Sequence, residues 1–127
     1  MLRAICYRSG GFIKMVENNS RVIKQIKKYI HYIDKNYHIK KIIMFGSYAK
    51  GVQNDSSDVD LAIVASEFGN APLLEKMKLY ELRAGVDLDI DIQPIPFGES
   101  EFYNNNNFFI SEIINTGIDI TGDVVNK

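Results

Sequence analysis

Two aspartates separated by one residue, Asp58 and Asp60, are the first candidates for chemistry in this sequence. Because side chains on a strand alternate between its faces, both carboxylates would point the same way and could share one cation. Without a metal, two carboxylates aimed at one point repel each other and each favours protonation of its neighbour. Mg²⁺ prefers one or two carboxylates together with phosphates and waters. The pair therefore predicts a magnesium site that also receives a phosphorylated substrate.

A glycine-serine turn precedes this pair and predicts the phosphate-binding end of the site. Gly46 lets the backbone approach an anion closely, and Ser47 can donate hydrogen bonds from its N–H and its hydroxyl. Residues 47–50 could open a helix whose N-terminus favours negative charge. A Walker A loop is excluded, because the two residues after Gly51 are not the required Lys and Ser or Thr. Taken alone, such a turn is more often a plain connection between a strand and a helix.

A third carboxylate is expected from a neighbouring strand, where three acids alternate with apolar residues. Asp87, Asp89 and Asp91 would share one face of a strand over 86–93. Three adjacent like charges beside apolar residues that are expected to be buried would destabilise the fold if they served only a structural purpose. This pattern therefore favours a functional role. The alternative is an edge strand whose acidic face lies in water and resists aggregation.

The elements that would position these residues alternate between helical and strand patterns. Residues 1–19 show weak periodicity and are expected to be an N-terminal extension or short helix, followed by a single domain over 20–127. Ser20 is a candidate N-cap for an amphipathic helix. Pro94 and Pro96 are expected to end the third strand. The remaining expected elements are strands at 41–45, 59–65 and 118–120, a helix from Pro72 to Gly85, and partial helix over 99–115.

Composition limits the class of protein. The 127 residues suit one globular domain, and no apolar run approaches a membrane span or signal peptide, so a cytoplasmic protein is expected. Cys6 is the single cysteine, which excludes an internal disulfide. Residues 1–50 hold eleven Lys or Arg against two acids, whereas the remainder holds four against fourteen. The nearly balanced net charge of -1 argues against a surface for long nucleic acid.

The combined motif resembles the DNA-polymerase-β-like nucleotidyltransferase superfamily, in particular its minimal, MNT-type members. The resemblance covers roughly residues 20–121 and implies an α/β (α+β) fold with a small mixed β-sheet and helices mainly on one face. It implies nucleotide binding by Gly46, Ser47 and Lys50, with Lys50 standing where many relatives have Arg. The implied catalytic and metal-binding residues are Asp58, Asp60 and a third acid, Asp89, with Asp91 as the alternate because the strand register is uncertain by two.

The same resemblance implies two-metal transfer of a nucleoside monophosphate, with AMP from ATP as the expected group, and with two Mg²⁺ or alternatively Mn²⁺ ions. Minimal members are similar to the antitoxin half of HEPN/MNT toxin-antitoxin pairs. The expected acceptor is therefore a hydroxyl of a helical, HEPN-like partner protein. Two alternatives stay open: a non-catalytic antitoxin that acts by contact, and an aminoglycoside-like small-molecule nucleotidyltransferase that works as a homo-oligomer.

Overall fold

The computed structural model describes residues 12–46, 58–104 and 107–125, with only the backbone described for 12–20. Its strands are β1 (Ile39–Phe45), β2 (Val59–Ala65), β3 (Ile92–Gly98) and β4 (Ile118–Asp119). Its helices are α1 (Phe12–Ile33), α2 (Pro72–Ala84), α3 (Glu99–Tyr103), α4 (Phe108–Thr116) and α5 (Thr121–Val124). In these stretches, none of the helices has the length and apolar content needed to cross a membrane.

Helix α1 is longer than its apolar periodicity predicts. It begins at Phe12, so Ser20 lies inside the helix and the prediction of an N-cap there is wrong. The periodic apolar residues from Val22 to Ile33 form the buried stripe that packs against the sheet. Tyr29 lies in this stripe, and its hydroxyl donates to the Leu79 carbonyl at 3.0 Å. This bond ties α1 to α2 in the interior.

The strands form a mixed sheet in the order β3-β2-β1-β4, which confirms the expected fold class. β1 runs antiparallel to β2, with Phe45 opposite Asp60. β2 runs parallel to β3, with Val59 opposite Ile92. The end of β1 therefore meets the beginnings of β2 and β3 at one end of the sheet. Any residues just outside these strand ends are brought together there.

The third strand differs from the sequence prediction. It covers Ile92–Gly98 rather than 86–93, and both Pro94 and Pro96 lie within it. Among the described strands, β3 lies at the edge of the sheet and pairs with β2 alone. A proline whose missing N–H would face the open edge therefore removes no hydrogen bond of the sheet. Residues 86–91 are not a strand, because β2 begins at Val59 and the register places Ile92 opposite its first residue.

Helices cover both faces of the sheet, with the two longest on one face. One core cluster joins α1, α2 and α5 to the sheet through residues such as Ile26, Leu79 and Val124. The second cluster places Phe102 of α3 and Ile110 of α4 against the opposite face. The expectation of helices mainly on one face holds for the long helices. The short helices α3 and α4 shield the other face.

Helix α2 presents part of its apolar surface outward. Leu79 is buried against the core, and Leu82 is packed beside it. Leu73 and Met77, two apolar residues four positions apart on this helix, are 72% and 55% exposed. The inward face is therefore set by where α2 crosses α1 and β3, rather than by the longest apolar stripe in its sequence.

Candidate active site

Three aspartates lie at the end of the sheet where β1 ends and β2 and β3 begin. Asp58 directly precedes β2, Asp60 is the second residue of β2, and Asp91 directly precedes β3. The Val59 N–H donates to the Asp91 carbonyl at 2.8 Å, which fixes the two strand starts side by side. This end of the sheet, formed by Gly46, Asp58, Asp60, Asp91 and Gln93, is called the carboxylate edge below.

Gly46 brings the glycine-serine turn directly against Asp60. Its φ is +78°, a backbone conformation that favours glycine. A Cβ at this position would lie 2.3 Å from Oδ2 of Asp60, so there is no room for a side chain. The first residue of the predicted phosphate-binding turn is therefore adjacent to a carboxylate. Ser47 and Lys50, the other predicted nucleotide-binding residues, lie outside the described residues.

The carboxylates destabilise one another's charged forms. Desolvation raises the pKa of Asp58, and the negative charge of Asp91 and a hydrogen bond between the two side chains raise it further, while Arg83 opposes the shift. Desolvation and the charge of Asp58 raise the pKa of Asp60. A cation at the carboxylate edge would relieve this repulsion. The electrostatics thus favour a positively charged ligand.

The three acids of the 87–91 segment separate into two groups. The Asp89 N–H donates to Oε1 of Gln25 on α1 at 2.8 Å. The Asp87 carbonyl accepts from Nζ of Lys28, also on α1, at 2.6 Å. Both residues are thus held in a loop along α1, whereas the side chain of Asp91 is hydrogen-bonded to that of Asp58. The geometry favours Asp91, the alternate from the sequence, over Asp89 as third carboxylate, and the assignment stays a prediction.

A group of polar side chains that the sequence analysis missed supports this edge. Nε2 of Gln93 lies 3.4 Å from Oδ2 of Asp58 and 3.4 Å from Oδ2 of Asp91. Arg83 donates from Nη1 to the Asp91 carboxylate and, at 2.7 Å, to the Ile92 carbonyl. The Tyr80 hydroxyl donates to the Gln93 side-chain carbonyl. In the sequence, the one feature that could have indicated these contacts is the three-residue spacing of Tyr80 and Arg83, which places them on one face of a helix.

Comparison with known proteins identifies the family of this chain. The family model described as "Polymerase beta, Nucleotidyltransferase" matches residues 24–123. The chain belongs to the polymerase beta nucleotidyltransferase family. The match spans every strand and the turn at Gly46, so the family resemblance found in the sequence is confirmed.

Relatives in this nucleotidyltransferase family come from Methanocaldococcus jannaschii. One, named "Putative protein adenylyltransferase MJ0141", is 35% identical over 99 residues, covering 78% of this chain and 95% of that protein. A second, "Putative protein adenylyltransferase MJ1215", is 35% identical over 72 residues, covering 57% of this chain and 74% of that protein.

Two solved structures share the nucleotidyltransferase fold. A crystal structure titled as "a putative nucleotidyltransferase from Sulfolobus solfataricus" has a TM-score of 0.54 and 20% identity, covering 68% of this chain and 76% of that chain. A structure titled "Crystal structure of the toxin-antitoxin with AMP-PNP" has a TM-score of 0.54 and 22% identity, covering 75% and 71%. At these identities the likeness shows the fold alone.

The donor set of this nucleotidyltransferase suits a metal ion that shares its coordination with a phosphate. Among the residues that the structure describes, no three His, Cys, Asp or Glu side chains are close enough to form a ready-made metal cage. Mg²⁺ does not need one, since it is usually bound by one or two carboxylates, waters and substrate phosphates. Asp58, Asp60 and Asp91 could supply these carboxylates, with the remaining positions left for a triphosphate.

Proposed function

We propose that the chain is a metal-dependent adenylyltransferase that moves AMP from ATP onto a hydroxyl group of a partner protein. The observation that supports this most strongly is the placement of Asp58, Asp60 and Asp91 at one end of the sheet, with Gly46 directly beside Asp60. Carboxylates whose pKa values are raised by desolvation and by one another are suited to bind a metal with its triphosphate. Family membership supports transfer of a nucleotide as the reaction class.

In the proposed reaction, the acceptor hydroxyl oxygen forms a bond to the α-phosphorus of ATP. The bond from that phosphorus to the bridging oxygen of the β-phosphate breaks, and pyrophosphate leaves with the electron pair. The hydroxyl proton passes to a carboxylate at the carboxylate edge or to solvent. Bound Mg²⁺ or Mn²⁺ ions, two in the proposal, supply charge neutralisation for the phosphates and activation of the hydroxyl.

Each predicted site residue has one role in this proposal. Asp58 and Asp60 ligate metal, and Asp91 is the third carboxylate in place of the sequence choice Asp89. Gly46 leaves the backbone open to the triphosphate because it has no side chain, and a Cβ added there would displace the Asp60 carboxylate. Ser47 and Lys50 would donate to the phosphates, a role proposed from the sequence motif alone.

A protein acceptor is supported by the relatives and by the surface. The curated relatives are named as protein adenylyltransferases, and one structural neighbour is a toxin-antitoxin pair with the ATP analogue AMP-PNP. Large apolar side chains are exposed near one another on α2, namely Leu73 at 72%, Leu74 at 67% and Met77 at 55%. Clustered exposed apolar side chains are typical of protein interaction surfaces. Within this proposal, a HEPN-like toxin encoded beside this chain is the preferred acceptor.

The test is transfer of label from ATP into a lysate of the source organism. The protein is incubated with Mg²⁺ and ATP labelled at the α-phosphate, and in parallel with ATP labelled at the γ-phosphate. We expect α-label on one protein band, no γ-label, and neither in the Asp58→Asn/Asp60→Asn double variant. Label in small molecules instead would favour the small-molecule transferase.

A negative result would also be decisive between the alternatives. Absence of label with each of the four nucleotides, combined with co-purification of a helical partner, would contradict catalysis and favour the contact-only antitoxin. Label that persists in the double variant would show that the carboxylate edge is not the site of transfer.

A further inference from the structure

We propose that Gln93, held in orientation by Tyr80, is a positioning residue that sets Asp58 and Asp91 in the geometry needed to bind the metal. This inference rests on the proposed metal-dependent function. It adds to that proposal two residues that neither the motif nor the comparisons assign.

The strand register explains why Gln93 can reach both carboxylates. Gln93 is opposite Asp60 in the parallel ladder of β2 and β3, and it lies one residue inside β3. Its Nε2 is 3.4 Å from Oδ2 of Asp58 and 3.4 Å from Oδ2 of Asp91. A side-chain amide has two N–H groups, so it can donate one to each carboxylate. Gln93 thereby bridges the starts of two strands through neutral donors.

These two contacts are longer than the usual 2.7–3.2 Å of an N–H···O hydrogen bond. Such contacts in a ligand-free site often tighten when the ligand binds. Each carboxylate oxygen has two lone pairs, so an oxygen that accepts from Gln93 can still ligate a metal. Gln93 can therefore keep both contacts while the carboxylates close on an ion.

Tyr80 determines which end of the amide faces the carboxylates. Its hydroxyl donates to Oε1 of Gln93, which leaves the NH₂ group directed at Asp58 and Asp91. The opposite orientation would place the amide oxygen against ionised carboxylates, which are acceptors only. The guanidinium of Arg83 lies 4.9 Å from the centre of the Tyr80 ring, which adds support on the other side.

Arg83 completes the support of Asp91 but differs from Gln93 in one respect. It donates to Oδ1 of Asp91, while Gln93 approaches Oδ2 of the same group. Replacing Arg83 would remove a positive charge as well as a contact, and these two changes have opposite effects on cation affinity. Gln93 is neutral, so its replacement isolates the effect of positioning.

The experiment measures Mn²⁺ affinity by calorimetry, with and without the non-hydrolysable analogue AMP-PNP. Gln93→Met keeps the approximate length and removes the amide. We expect affinity to fall about 10–100-fold, the range found when partners that orient metal ligands are removed. Tyr80→Phe, which removes a single oxygen, should weaken binding in the same direction by a smaller factor.

The matched control is Gln25→Met, which makes the same replacement where the amide contacts the Asp89 backbone rather than Asp58 or Asp91. It should leave Mn²⁺ affinity unchanged. A second readout is transfer activity against Mn²⁺ concentration: excess Mn²⁺ should restore the turnover of Gln93→Met, whereas general damage to the fold would not be rescued.

Wild-type Mn²⁺ affinity in folded Gln93→Met would overturn the proposal, as would an equal loss in Gln25→Met. If Gln93→Met does not fold, unchanged affinity in Tyr80→Phe overturns it. Absence of Mn²⁺ binding by the wild-type protein in both conditions would overturn it together with the metal-dependent function. Weakened binding in a protein that transfers no label would instead leave the positioning role standing and contradict only the adenylyltransferase.

Discussion

Replacing Gly46 with alanine should inactivate the protein while leaving it folded. At a φ of +78°, a residue with a Cβ is strained by about 1–2 kcal/mol. The new Cβ would lie 2.3 Å from Oδ2 of Asp60, against the 3.4 Å at which ordinary contact begins. The Asp60 carboxylate, the free end of a short side chain, must therefore move by about 1 Å.

That displacement should change the free energy of unfolding little but should lower the transfer rate strongly. The carboxylate can rotate away at small energetic cost, so the loss of stability should stay near the backbone strain of about 1–2 kcal/mol. A misplacement of about 1 Å in a catalytic constellation can lower the rate about 100-fold. We expect a fall of this order in transfer from α-labelled ATP.

The assay pairs urea denaturation with the labelling reaction, and Gly69→Ala is the matched control. Gly69 also has a positive φ, +105°, but its added Cβ would approach the Gly98 backbone at 3.2 Å, away from the carboxylate edge. Both variants should lose similar stability, and only Gly46→Ala should lose activity. Equal activity in the two variants would refute the role assigned to Gly46.

Three further predictions concern the charges. Asp58→Asn and Asp60→Asn should each abolish transfer without lowering the thermal midpoint, since each removes repulsion; near-wild-type turnover in either would show that the site is misassigned. Mn²⁺ at 100 times its dissociation constant should stabilise the wild-type protein by about 2.7 kcal/mol and leave the double variant unchanged, as followed by denaturation with and without a chelator. Burial alone would raise the pKa of Asp119, but hydrogen bonds from Thr121 and the contact with Lys41 hold it below 3.8. The contribution of Asp119 to the free energy of unfolding is therefore complete above pH 3.8, and it is lost as the pH falls through the lower folded-state pKa. Asp119→Asn should lower the free energy of unfolding by about 0.5–1 kcal/mol at neutral pH and leave it unchanged in strong acid. A loss of stability that is independent of pH would contradict this.

Local patterns were sufficient for the strands at the centre of the sheet. The β-branched run ending at Phe45 and the segment from Val59 to Ala65 form strands as predicted, because both are buried and bounded by turn residues. The helix from Pro72 to Gly85 also follows its N1 proline and C-cap glycine. In these elements the residue types and the spacing of apolar residues favour the same secondary structure that the tertiary packing requires.

Prediction failed where position in the sheet outweighs local propensity. Pro94 and Pro96 indicate a strand end by their chemistry, yet an edge strand accommodates both. The acidic segment before them alternates as a strand would, but in the part of the chain that the structure describes no strand lies opposite it, because β2 begins opposite Ile92. The preference for Asp91 over Asp89 depends on this register, which no local pattern contains, and the third carboxylate stays a prediction.

The candidate site shows the same division. Two short sequence motifs, whose residue types and spacing indicate their chemistry, contain Gly46 and the pair Asp58 and Asp60. Gln93 and its partner Tyr80 contact each other only because α2 packs beside β3. Contacts of this kind depend on helix placement, and single-sequence patterns do not determine it.

The most direct test of the carboxylate edge as the site is a crystal structure with AMP-PNP and Mn²⁺, using the anomalous signal of manganese to locate the metal. We expect manganese ligated by carboxylate oxygens of Asp58 and Asp60 and by phosphate oxygens, with Asp91 in contact with the site and Asp89 remaining along α1. Manganese bound elsewhere, or the triphosphate placed away from Gly46, would contradict the account.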